Sequence, residues 1–301
     1  MKAELLVDAG ASLGEGPVWD GIRGVLWWVD IDRGEVHRCD SSGSDEVVKR
    51  IPDVSCLTPT RDGRLFFCAG LRFGMLEPET GEVQWEGALT VSDAVRFNDG
   101  KCDPAGRFWA GTMDRGVQQP VGALYRFDRL PETGDSLPTA VLTGVTVSNG
   151  MAWALDGTCL YYIDTPRFTV DRFSLDMTSG TLGDRRTAVT IPAELGRPDG
   201  MTMDSEGNLW VAHWDGHGVS CFDPHSGAVL ARVAVPSARV TSCMFGGEGL
   251  RTLYITTAAH GATPEELEQY PHSGGIFAIT PEDELSQAVR GVPEARRFDR
   301  G

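Results

Sequence analysis

Four short runs in this chain set an oxygen-bearing side chain directly before a glycine: Glu15-Gly16-Pro17-Val18-Trp19, Asp99-Gly100-Lys101-Cys102, Asn149-Gly150-Met151-Ala152-Trp153 and Asp199-Gly200-Met201-Thr202-Met203. They stand nine, seven, eight and eight residues before Gly24, Gly106, Gly157 and Gly207, which read as turn glycines. Carboxylate and amide oxygens are hard donors, suited to Ca2+, Mg2+, Mn2+ or Fe2+ rather than to a thiolate-seeking ion. In a ring of repeated sheets, one position per repeat would bring such donors together near the axis. Two carboxylates about 4 Å apart repel by about 4 kcal/mol at an effective dielectric of 20. Glu15, Asp99 and Asp199 meeting at one channel must therefore take up protons or share a cation. The competing reading of each pair is a plain turn, which suits Asn and Asp but not Glu. Asp99 is equally readable as a turn residue or as a holder of water behind the ligands.

The elements that must position these residues are strands. Helical periodicity is nearly absent, the best candidate being 263–270, with a capping Thr263, Pro264 in the first turn and early acids. Elsewhere short segments rich in Val, Trp, Phe and Tyr alternate with Gly, Asp, Pro and Ser. A weak repeat runs through them: a turn glycine, then an aromatic or leucine-bearing strand, at Gly24, Gly63, Gly106, Gly157, Gly207 and Gly249. These glycines are separated by 39, 43, 51, 50 and 42 residues. Several repeats add a further strand ending near Asp, as in Val36-His37-Arg38-Cys39-Asp40 and Val219-Ser220-Cys221-Phe222-Asp223. Six such units predict an all-β, six-bladed β-propeller with a metal site in the central channel, one domain spanning 1–301. Ring closure is expected from Leu5-Leu6-Val7 joining the last blade beside Gly275-Ile276-Phe277-Ala278-Ile279. The polar stretch Pro131-Glu132-Thr133-Gly134-Asp135-Ser136 reads as an inter-strand turn.

Bulk properties exclude several functions. A net charge of −16 repels nucleic-acid phosphates and anionic membranes, so neither is an expected partner. No apolar run approaches the roughly 20 residues needed to cross a bilayer. The segment Met1-Lys2-Ala3-Glu4-Leu5-Leu6-Val7-Asp8 lacks a signal-peptide pattern. The seven cysteines are scattered and include no C-x-x-C pair, which fits reduced thiols in a cytoplasmic protein. No obligate protein partner is evident.

Taken together, Leu13-Gly14-Glu15-Gly16-Pro17-Val18-Trp19, Arg96-Phe97-Asn98-Asp99-Gly100-Lys101, Gly111-Thr112-Met113, Ser148-Asn149-Gly150 and Pro198-Asp199-Gly200 resemble the SMP-30/gluconolactonase family. The motifs lie in the family's order, and the resemblance runs from Leu13 to about Ile279. It implies a six-bladed propeller that hydrolyses aldonolactones with a divalent cation (Ca2+, Mg2+, Mn2+, Fe2+ or Zn2+) in its channel. By motif match, Glu15, Asn149 and Asp199 look like its metal ligands. Arg96 and Asn98 look like its substrate contacts, and Asp199 also like its acid/base. Two carboxylates and an amide balance a divalent charge and leave positions for water and substrate. Such an ion would polarise a lactone carbonyl and stabilise the developing oxyanion. Because a cation favours the ionised form of its ligand, Asp199 would serve either as base or only as a guide for water.

Arg96 and Asn98 lie two apart, so an extended backbone points both to one side, where guanidinium and amide suit sugar hydroxyls or a ring-opened carboxylate. The competing readings are a surface ion pair for Arg96 and an Asx turn for Asn98. The family places an acidic substrate contact shortly after Gly-Thr-Met, but here the aligned residue is Gly116, with Asp114 only nearby. Arg115, Gln118 and Gln119 in that loop are candidates to alter substrate preference. His213 and His217 are four apart but straddle a strand and a turn, so a helical metal pair is not expected. His213 is read as a packing or hydrogen-bonding residue. No G-x-S-x-G elbow is present. The expected function is metal-dependent opening of a glucono-, xylono- or arabinono-lactone to the acid. The alternatives are a metal-dependent esterase or phosphotriesterase-like propeller, and a non-catalytic calcium-binding propeller.

Overall fold

The computed structural model describes residues 1–128, 137–281 and 289–292; the polar stretch 131–136 lies outside the described residues. Six four-stranded antiparallel sheets form the six blades of a propeller. Their first strands are Gly14–Asp20, Val54–Pro59, Val95–Cys102, Ser148–Trp153, Arg197–Met203 and Arg239–Gly246. Each of these contacts the first strand of the next blade, and the sixth contacts the first, so they line the ring's axis. All six turn glycines singled out by the repeat have positive φ, the conformation glycine adopts without steric cost.

Both faces of each blade are covered, which explains why the strands read as near-continuous apolar runs. In the second strand of blade 1, Val25–Asp30, Trp27 and Val29 pack against blade 2, whereas Leu26 and Trp28 pack against blade 6. The alternation is the two-residue period of a pleated strand. The same division recurs around the ring, giving one apolar cluster at each of the six blade interfaces. The capping box reads true as well: Pro264–Gln269 is an α-helix, with Thr263 accepting from the Glu266 N–H and Glu266 returning a bond to the Thr263 N–H. All seven cysteines are free thiols.

The ring is closed by the N-terminus. Glu4–Val7 pairs with Ile276–Ile279, aligning Glu4 with Ala278 and Leu5 with Phe277. Just before it, Ala3 N–H donates to Ala234 O and Ala234 N–H to Met1 O, both 2.9 Å, tying the same segment to blade 5. Deleting residues 1–8 leaves blade 6 with an unpaired edge and uncovers the apolar cluster that holds Ala3. The expected outcome is a melting temperature lowered by at least about 5 °C, measured by differential scanning calorimetry.

Candidate functional site

The x-Gly pairs are bulges in the first strands rather than turns. Pairing with the second strand slips between Glu15 and Val18, Phe97 and Gly100, Asn149 and Met151, and Pro198 and Met201. A bulge bends the strand and re-aims a side chain, here toward the axis. The glycines let neighbouring strands approach. Gly16 has φ +56°, and a Cβ on Gly200 would fall inside the Ser242 side chain of the next blade. This is why each oxygen donor is followed by glycine.

One cavity of about 720 Å3 gathers Glu15, Arg96, Asn98, Asn149 and Asp199 at the mouth where these strands begin. Its upper wall comes from loops after the second strands: Asp32 from blade 1, Arg115 and Val117 from blade 3, Thr165 and Phe168 from blade 4, and His260 from blade 6. Asp99 is not among them. It lines a gap of about 10 Å3 farther along the axis, with Gly100, Lys101 and Ser242. At the far end of the first strands lies a separate cavity of about 140 Å3, lined by Lys101, Trp153 and Val292 among others.

A hydrogen-bonded chain fixes the polar residues across three blades. Arg96 Nη1 donates to Asn98 Oδ1 at 2.8 Å, and Asn98 Nδ2 donates to Asn149 Oδ1 at 2.9 Å and to Ser148 O at 2.8 Å. Asn149 Nδ2 donates to Thr165 Oγ1, which donates to Pro198 O, both at 2.8 Å. Each amide oxygen and nitrogen thereby has a partner of the right kind, so both amides have one orientation. Asn149 Oδ1 keeps a second lone pair. Arg96 is therefore no surface ion pair, and Asn98 is no turn residue.

Two aspartates that end second strands set the entry to this site. Asp30 accepts from the Ser12 N–H (2.8 Å) and the Leu13 N–H (3.2 Å), just before Glu15. Asp164 accepts from the Thr146 N–H (3.2 Å) and the Val147 N–H (2.9 Å), just before Asn149. Asp114 turns the other way, accepting from the Gln118 and Gln119 N–H groups at 2.9 Å each, so it shapes its own loop instead of the cavity. Gln118 and Gln119 do not line the cavity, whereas Arg115 does. His213 is buried and bonded through Nε2 to Ser220 Oγ at 2.9 Å; burial drives its pKa down to about 3, so it stays neutral.

Glu15 and Asp199 are buried at the axis, and Asp99 is partly buried beyond them. Burial and the Asp99 charge push Glu15 up to about 8. Burial, then Glu15 and Asp99, raise Asp199 well above the ordinary carboxylate range. Asp99 is raised by burial and drawn back by Lys101. Glu15 Oε2 accepts one bond, from the Gly16 N–H at 3.0 Å. Among the described residues, neither Glu15 nor Asp199 forms an ion pair, and no three His, Cys, Asp or Glu side chains gather as a metal-binding group. The candidate donor set is instead two carboxylates and an amide. Buried oxygen donors under mutual repulsion, with no ion pair to either carboxylate among the described residues, suit a divalent ion.

Sequence reasoning passed over Thr165, Asp32, His260, Arg197 and Trp214. They come from blades 1, 4, 5 and 6 and carry no shared spacing; Asp32 lay two residues beyond the strand-ending Asp30 and Arg197 directly before Pro198-Asp199-Gly200, but neither adjacency marks a residue as pocket-facing.

Fold and cavity define a six-bladed propeller with an acid-lined pocket of small-molecule size. The chain belongs to the SMP-30/gluconolactonase/LRE-like family, whose signature its residues 13–259 match. Regucalcin of Danio rerio is 36% identical to it, covering 97% of each chain. The protein named "Putative sugar lactone lactonase YvrE" of Bacillus subtilis is 36% identical, covering 92% of this chain and 94% of its own. The crystal structure of a calcium-binding protein, regucalcin, from Agrobacterium tumefaciens superposes with a TM-score of 0.89 at 25% identity, over 99% of this chain and 97% of that one.

The raised carboxyls make a pH prediction. In the ion-free protein Glu15 keeps its proton to about pH 8, against an ordinary value of 4.5. Between those values the folded state binds more protons than the unfolded chain, so Glu15 makes stability fall as pH rises, levelling off above about 8. Thermal denaturation of ion-free protein across this range is expected to show that decline, and Glu15→Gln to make it shallower, the raised Asp199 and Asp99 leaving a residual slope of the same sign. A divalent cation should raise the melting temperature more at the alkaline end, where it no longer competes with the proton.

Proposed function

We propose that this protein is a divalent-metal-dependent lactonase that opens a sugar aldonolactone of the glucono-, xylono- or arabinono-lactone type to its aldonic acid. One observation carries the reading: Glu15, Asn149 and Asp199 line the same cavity as Arg96 and Asn98. The relatives' names support the reaction class. The oxygen donors of Glu15, Asn149 and Asp199 would hold the ion. When bound, such an ion polarises a carbonyl and lowers the pKa of water.

The remaining steps belong to the chain. Arg96 and Asn98, already bonded to each other, present a guanidinium and an amide to the sugar hydroxyls and then to the product carboxylate. Their fixed geometry spares the orienting cost at the moment of reaction. Asp199 orients the attacking water and takes its proton. Water oxygen bonds to the lactone carbonyl carbon, the bond from that carbon to the ring oxygen breaks, and the ring oxygen leaves as a hydroxyl after receiving a proton. Asp99, behind the cluster, adds negative charge that strengthens cation binding. The cavity's polyol-suited pair favours lactones over aryl esters or phosphotriesters.

Glu15→Gln, Asn149→Ala and Asp199→Asn are each expected to weaken cation binding by roughly 10- to 100-fold or more, read by calorimetry. Lactone opening should fall at least as far, followed by proton release with the spontaneous rate subtracted. Chelation should abolish turnover, and titration with Ca2+, Mg2+, Mn2+, Fe2+ or Zn2+ should restore it. Full activity after exhaustive chelation, or tight cation binding without lactone opening, would overturn the assignment.

A further inference from the structure

The cavity holds more positive charge than a neutral sugar lactone needs. Arg96, Arg115 and Arg197 all line it, from the start of blade 3's first strand, the loop after its second strand and the start of blade 5's first strand. The surrounding protein has a net charge of −16, so these cations run against its overall balance. Glu15 and Asp199 face the proposed ion. The other acid lining the cavity, Asp32, is already engaged: its Oδ2 accepts from Ser12 Oγ at 2.6 Å and lies 2.7 Å from His260 Nδ1.

The three guanidiniums are not equally committed. Arg96 is bonded to Phe97 O and Asn98 Oδ1, each at 2.8 Å, which aims it along the proposed substrate. Arg115 meets Asp53 at 2.7 Å, but both side chains are half-exposed, 44% and 48%, so water screens the pair and leaves it weak. Arg115 is also close enough to Arg96 to lower the latter's pKa, second only to burial. Arg197 lines the cavity but is exposed, and among the described residues its side chain has no hydrogen bond or ion pair. Guanidiniums that line one cavity with only a screened ion pair, as Arg115, or none, as Arg197, remain available to carboxylate or phosphate, to which guanidinium binds in a bidentate fork.

An aldonolactone develops one negative centre, at the reacting carbonyl, and the proposed ion and Arg96 serve it. We infer that the substrate carries a second anionic group, a carboxylate or a phosphate, away from the reacting carbonyl, and that Arg115 and Arg197 recognise it. The inference rests on the lactonase reading above and narrows its substrate class.

The test compares three lactones on the cation-loaded enzyme: a neutral aldonolactone, the monolactone of the corresponding aldaric acid, and the aldonolactone phosphorylated on its terminal carbon. One of the two anionic lactones is expected to show the highest kcat/KM, and which one identifies the group. Its advantage should shrink as ionic strength rises. Arg115→Gln and Arg197→Gln should each lower the ratio of kcat/KM for anionic over neutral lactone by roughly 10- to 100-fold, the loss expected for one charge-assisted hydrogen bond. Preference for the neutral lactone, or equal losses on both lactones, would overturn the inference while leaving lactonase activity standing. If no lactone is opened, the lactonase reading falls. Calorimetry with the ring-opened dianionic acids then decides the anion site: binding lost in the arginine variants supports it, and absence of binding overturns it.

Discussion

Three carboxylates held out of water within reach of one another's fields are the constraint around which this molecule is arranged. Beyond burial, the Asp99 charge raises Glu15, and Glu15 and Asp99 together raise Asp199, while Lys101 draws Asp99 back and Arg96 draws Glu15 back; among the described residues neither Glu15 nor Asp199 has an ion pair. Such an arrangement is costly in an ion-free protein, because each ionised group opposes the next in a medium poorer than water at screening charge. A fold can keep it only where rigid elements hold the groups in place. Here the elements are six inner strands pressed so tightly that glycine must follow each donor.

Stability and site are therefore linked through the blade interfaces. The apolar clusters between blades carry the burial that stabilises the ring. They also set how near the inner strands come, and so how near the donors come. The polar chain from Arg96 through Asn98, Asn149 and Thr165 to Pro198 crosses three blades. A shift at one blade interface would be felt by the groups assigned to substrate and to ion alike.

The cavity divides its tasks by height. Donors on the inner strands form its floor, where close packing makes them rigid. The rest of the wall comes from loops above, a layer that can change without disturbing the ring. Arg115, His260 and Phe168 come from such loops, and they make this pocket differ from one built only on the family motifs. The absence of the expected acid at Gly116, and the direction Asp114 takes toward its own loop, belong to the same layer.

The architecture, and which inner-strand residues gather on the cavity floor, could be read from the chain alone. Turn glycines at a 39–51-residue spacing announced six blades, since each must adopt positive φ. Leu5-Leu6-Val7 read as the closing strand, because a short apolar segment lacking a partner must find one. Glu15, Asn149 and Asp199 were legible because a recurring strand position repeats its local pattern, although those pairs mark bulges and not turns. Tertiary structure alone decided the rest. It set Asp99 below the cavity, brought Thr165 behind Asn149, joined Asp32 to His260 and placed Arg197 at the pocket with no side-chain partner among the described residues. Some of these relations lie within a blade, as Asn149 with Thr165 16 positions on, and others join blades, as Asp32 with His260 228 positions away. Spacing along a chain records the period of a strand or a repeat; it carries no record of which loops meet across a ring, because that depends on how closely all six blades pack.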